Sequence, residues 1–152
     1  MHPKKLRGIG LIVLMATSLM AGEPSKQDAM TKDAVAIQGA WKVVALEADG
    51  KQAPPELLTA LKITFKGETL TFSPGEPGFS NYTYKLDPSV KPASFDMTHA
   101  DGSHKGETQK GVYSLDGDHL KICIGKADTR PTDFTTVSGS GHGLYTLERE
   151  KP

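Results

Sequence analysis

The chain has 152 residues, 37% of them hydrophobic and 24% charged, with 18 basic against 18 acidic residues and one cysteine. That length suits one domain of ordinary size, and the lone cysteine excludes an internal disulfide and a multi-cysteine zinc site. Residues 1–21 hold Lys4, Lys5 and Arg7 and no acid, so the remainder carries 15 basic residues against 18 acidic ones; this mild negative balance, with no Lys/Arg cluster, argues against nucleic acid or anionic lipid as the main partner.

Residues 1–21 have the three parts of a secretory signal peptide. Lys4, Lys5 and Arg7 form the basic region, Gly8 to Leu19 the apolar stretch, and Ala21 the small residue before cleavage. The apolar stretch is short for a membrane-spanning helix, which needs about 20 residues. The expectation is therefore an exported protein, periplasmic or extracellular, with no integral membrane segment once the signal is removed. No cysteine follows the apolar stretch, which argues against a lipoprotein anchor. Residues 22–36 are polar or small and read as a tether, with a short helical turn allowed near Met30 to Ala36.

From residue 37 onward the pattern is that of strands: short alternating runs separated by Gly, Pro and Asp. Trp41, Val43 and Ala45 alternate on the first. Pro54-Pro55-Glu56-Leu57-Leu58 reads as one short helix, with Pro and Glu in its first turn. Ile63 and Phe65, then Leu70 and Phe72, flank a tight turn at Gly67-Glu68. Tyr82, Tyr84 and Leu86 mark the next strand, and Phe95 and Met97 the one after. Tyr113 and Leu115 lead through the hairpin signal Asp116-Gly117 to Leu120, Ile122 and Ile124. Phe134 stands in a short Thr-rich run, and Tyr145, Leu147 and Arg149 share a face of the last strand. Short connections make neighbours antiparallel. The predicted fold is all-β: an antiparallel up-and-down barrel of about eight strands, over residues 37–152, with one short helix.

Gly39-Ala40-Trp41 is the G-x-W pattern that opens lipocalin-type barrels. More broadly, Ile37 to Val44, Asp49-Gly50-Lys51, Leu61 to Gly67, Tyr84 to Pro88 and Lys91-Pro92 resemble an exported, lipocalin-like domain family expanded in planctomycete bacteria. Gly111 to Asp118, Leu120 to Cys123 and Arg130 to Phe134 continue the resemblance. It implies fold and export rather than activity, because that family has no settled one. It also implies that Gly39, Trp41 and Arg149 close one end of the barrel, with the guanidinium across the indole.

Candidate chemistry is sparse. His99-Ala100-Asp101-Gly102-Ser103-His104 is the densest polar cluster. Imidazole and carboxylate suit Zn, Ni or Cu, yet no further ligand stands at recognisable spacing, so the cluster reads as a solvated loop and neither metal nor cofactor is expected. Ser138 to Gly143 lacks the glycine and the strand-to-helix elbow of a nucleophile motif. Cys123 alternates against Leu120, Ile122 and Ile124 and reads as a packed, inert thiol. Arg130 either rings a pocket mouth or pairs with Asp128 or Asp133.

No nucleophile, acid pair or metal cage emerges, so the expected function is non-enzymatic. The leading reading is a binding module for a small, partly apolar molecule inside the barrel, with Tyr82, Tyr84, Phe95 and Tyr113 lining the interior and Arg130 at its mouth. The alternative is a cell-envelope structural or protein-interaction domain with a filled core.

Overall fold

A computed structural model describes Gly22, residues 25–73 and residues 81–152. The signal peptide expected at 1–21 lies outside the described residues. Helix α1 (Lys26–Ala36) leads into strand β1 (Gly39–Ala48), and the two-residue β2 (Lys51–Gln52) and short helix α2 (Pro55–Leu58) follow. The rest are strands: β3 (Lys62–Lys66), β4 (Thr69–Ser73), β5 (Asn81–Asp87), β6 (Ala93–His99), β7 (Thr108–Asp116), β8 (His119–Ile124) and β9 (Gly143–Arg149).

Sequential strands pair antiparallel from β3 to β9, and β1 pairs with both β3 and β9, from Trp41↔Arg149 to Ala48↔Gly143. Eight strands thus close into a barrel, and β2 is an extra strand on the end of β1. Closure gives every barrel strand two neighbours and removes the open sheet edge. The turns follow from residue type. Asp49 and Gly50 both take positive φ (52° and 78°), the pair of left-handed residues that a two-residue hairpin turn needs.

Alternation puts Ile63, Phe65, Leu70, Tyr82, Tyr84, Phe95, Met97, Tyr113, Leu120, Ile122 and Leu147 in one buried core. The expected periodicity breaks in β1. A bulge between Val43 and Ala45 shifts the register, so Ala45 is exposed and Leu46, opposite Tyr145, packs against the core instead. Bulges of this kind re-aim side chains where a strand bends.

Among the described residues there are two helices rather than the one expected. α2 begins at Pro55, where a missing N–H costs nothing. α1 lies in the predicted tether. Its N-terminus is a reciprocal capping box between Ser25 and Asp28. It buries no residue of its own and is held by polar ties: the Tyr113 hydroxyl donates to Asp33 at 2.6 Å, and Lys26 lies 3.7 Å from Asp87.

No strand forms around Phe134. Residues 125–142 instead run across the outside of β7 and β8. Val112 and Cys123, which alternation points outward, are 1% and 0% exposed, and Pro131 and Thr136 are buried with them. Gly125 sets this packing: a Cβ there would lie 1.7 Å from the Thr129 carbonyl oxygen.

Candidate functional site

The barrel interior is filled. Ile63, Phe65, Leu70, Phe72, Phe95, Met97, Ile122, Ile124 and Tyr145 surround a void of about 10 Å³. That is at or below the room one water needs, and an apolar void of that size stays dry; pockets for small ligands start near 300 Å³. Tyr84 stacks on Phe95 (6.0 Å between centres, 16° between planes) and stands edge-on to Phe65 at 5.0 Å. Its hydroxyl donates to the Gly67 carbonyl at 2.8 Å, and burial raises its pKa. Tyr113 is likewise buried, its hydroxyl spent on Asp33 and its pKa pushed up by burial and by that carboxylate. Tyr84 and Phe95, expected to line a ligand chamber, thus pack against each other, and the hydroxyls of Tyr84 and Tyr113 are satisfied at the closed end.

At that end Trp41 on β1 lies opposite Arg149 on β9. The Arg149 guanidinium lies 4.3 Å from the centre of the Trp41 ring. It also donates through Nη1 to the Gln38 carbonyl at 2.7 Å and through Nε to Asp118 at 3.1 Å. The indole N–H of Trp41 donates to the Ile37 carbonyl at 2.8 Å. Gly39 has φ of 111°, a backbone conformation that favours glycine, although a Cβ there would make only ordinary contact with Nη1 of Arg149 at 3.4 Å.

Arg130 corrects an expectation. It rings no barrel mouth and pairs with neither Asp128 nor Asp133. Its Nη1 donates to Asp96 at 2.6 Å and to the Gly111 carbonyl at 2.7 Å, on the outer face, since Phe95 and Met97 on either side of Asp96 point inward. Lys110 takes Asp128 at 3.1 Å, and Asp133 accepts from its own loop at Thr135. Arg130 is a brace that fastens residues 125–142 to the barrel wall. Beneath that segment the Cys123 thiol has its pKa pushed up to about 11 by burial, with Asp133 adding to the effect, as expected of an inert cysteine.

At the opposite end from Trp41 the barrel mouth gathers aromatic and polar side chains. Phe72 stands edge-on to Tyr82 (5.5 Å) and tilted against Tyr145 (6.0 Å). The buried His99 ring lies 4.6 Å from Tyr82 and 5.6 Å from His104. Burial raises the pKa of both Tyr82 and Tyr145, and the Asp101 carboxylate adds to the shift at Tyr82. Asn81 donates to Asp101 at 2.6 Å, and Glu107 accepts from His104 at 2.9 Å. Of this group sequence reading named His99, Asp101, His104 and Tyr82. It missed Asn81 and Glu107, whose roles arise from the way the β6–β7 connection folds back.

No family model, curated protein or solved structure matches this chain. Among the described residues no helix is long and apolar enough to cross a membrane.

Proposed function

We propose that this protein is an exported, non-enzymatic interaction module of the cell envelope, in which a filled barrel is a rigid scaffold and binding runs through its ends and outer surface. One observation carries the reading: the 10 Å³ void left by the inward-facing side chains, against the several hundred Å³ a small-molecule pocket requires. Export rests on the basic and apolar pattern of residues 1–21. Kinship with lipocalin-like domains is part of the proposal, supported by barrel closure and by the stacking of Arg149 on Trp41.

The test is native mass spectrometry of the mature domain taken from its own host's envelope fraction, with and without prior crosslinking. The expected result is a bare domain mass beginning near residue 22, with a defined second chain recovered in stoichiometric amount after crosslinking. A reproducible small extra mass, lost on denaturation, would overturn the filled-scaffold reading in favour of a carrier.

A further inference from the structure

The room that the barrel interior lacks is found on its outer wall. Ser94 on β6 and Val112 on β7 lie opposite each other. Their neighbours Phe95 and Tyr113 point into the core, so this pair forms a floor on the outside. The β5–β6 connection raises one bank, with Lys91 and Pro92. Residues 125–142 raise the other, with Arg130 and Pro131, and the groove between them holds about 510 Å³. Each bank carries a proline, which fixes its own φ, and Val112 beneath is buried, so the groove is largely formed before anything enters it. Its volume falls within the range of about 300–1,000 Å³ typical of binding clefts.

The charges on the groove are unequally matched. Its acid, Asp87, already accepts from the Ser89 N–H at 3.0 Å and from the Ser89 hydroxyl, with Lys26 at 3.7 Å. Arg130 donates through Nη1 to Asp96 and to the Gly111 carbonyl, while its Nη2 and Nε make no hydrogen bond to a described residue. Two acceptors on one nitrogen fix the plane of the guanidinium, so little freedom is left to lose when its other donors meet a ligand. Lys91 pairs with no described acid. The donors left over are therefore cationic, and a carboxylate answers both, most of all the planar fork of arginine. Beside them Val90 is exposed, and Pro92, Pro131 and Val112 supply apolar surface.

The groove lies open along the wall between its two banks. A small ligand there would keep much of its surface in water, whereas small-molecule sites bury most of theirs. A chain lying along the groove gains contacts beyond both ends of it. Resting on the domain's reading as an interaction module, we propose that this groove holds an extended segment of a partner chain that carries a carboxylate beside an apolar side chain. The carboxylate meets Lys91 and the remaining donors of Arg130, and the apolar group lies against Val90, Val112 and Pro131. Asp96 and the Gly111 carbonyl keep Arg130 in place, so the residue that fastens the outer segment also presents the charge.

The test follows the backbone amides of the isotope-labelled mature domain by NMR while N-acetyl-leucine, which joins one carboxylate to one apolar side chain, is added. Expected are shift changes centred on Lys91, Ser94, Val112 and Thr132, with a Kd of about a millimolar. N-acetyl-leucinamide keeps the side chain and lacks the charge, and should bind about fivefold more weakly or less tightly still. Lys91→Glu should weaken binding of the acid about tenfold, and Val90→Ala should weaken both probes about twofold. Both residues are exposed, so neither variant endangers the fold. Lys51→Ala, on β2, should change nothing. Two hexapeptides test the partner chain, one with a free C-terminal leucine and one with an internal leucine–glutamate pair and an amidated end. At least one should bind about tenfold more tightly than N-acetyl-leucine. No shifts with about 20 mM of the acid would overturn the site. So would equal binding of acid and amide, or shifts centred elsewhere. Peptides that bind no more tightly than the small acid would overturn the partner-chain assignment in favour of a free organic acid. These probes need no host extract, so their failure is distinct from failure to recover a second chain by crosslinking, which bears on the interaction-module reading itself.

Discussion

Replacing Phe95 by alanine tests whether the barrel is packed to its centre. Phe95 is 1% exposed and lies between Phe65 and Tyr84, at 6.4 and 6.0 Å. The substitution removes roughly 100 Å³ of side chain; at about 24 cal/mol per Å³ an unrelaxed cavity of that size costs about 2.4 kcal/mol. The lost transfer free energy of the ring adds about 2 kcal/mol, so Phe95→Ala should destabilise the domain by about 4 kcal/mol. For a domain of this size the melting midpoint should fall by about 10–20 °C. Urea denaturation with an unchanged slope gives the free energy directly. The cavity is lined by apolar groups, so it should stay dry and take up benzene, raising the midpoint of Phe95→Ala while leaving that of the parent protein unmoved. A loss under about 1.5 kcal/mol, or a parent protein that benzene already stabilises, would show that the interior is not filled as described, since neither outcome fits a void of about 10 Å³.

Arg149→Met should cost about 2–3 kcal/mol in urea denaturation, because it removes the stack on Trp41 and the donor to the Gln38 carbonyl together; Arg149→Lys should recover only part of this, an ammonium lacking the planar fork. Cys123 should be inert to Ellman's reagent at pH 8 in the folded state and react fully in urea. Gly125→Ala should make that thiol reactive without urea by lifting residues 125–142 from the wall. Alkaline pH gives a signed test of the same thiol. Its folded pKa is raised, so the unfolded chain loses this proton first, and stability is complete below the unfolded value and falls as pH climbs through about 11. The parent protein should therefore lose more stability than Cys123→Ala between pH 9 and 11.

The barrel was readable in the sequence because most of its strands bury one face only. Alternation in Ile63/Phe65, Tyr82/Tyr84 and Leu120/Ile122 names the core directly, and Gly67-Glu68 and Asp116-Gly117 mark the turns between strands. Reading failed where a second layer or a register change intervened. Val112 looks solvent-facing by alternation and is buried because residues 125–142 return over it, beside Cys123, whose packing was expected. The bulge after Val43 replaces Ala45 by Leu46 on the inner face, which no periodic template anticipates. α1 has no buried face to announce it and owes its start to the Ser25–Asp28 cap. Arg130 was visible as a charge, but its partner Asp96 lies 34 residues away across the wall.

The same geometry limits how this domain can engage anything else. A closed barrel gives each of its strands two neighbours, so among the described strands only β2, two residues long, has an outer edge. Strand addition, which needs a row of unpaired backbone groups, has no template of useful length. Insertion into the interior is opposed by the cost of displacing close-packed Phe65, Phe95 and Tyr84. At the closed end the outward groups of Trp41 and Arg149 are committed to the Ile37 and Gln38 carbonyls. What is left is recognition by side chains on the outer surface and at the mouth. At the mouth, half-exposed His104 stands beside a buried imidazole, and Phe72, Tyr82 and Tyr145 supply rigid aromatic surface. Aromatic groups of that kind dominate binding energy at protein interfaces because they desolvate well and lose little entropy.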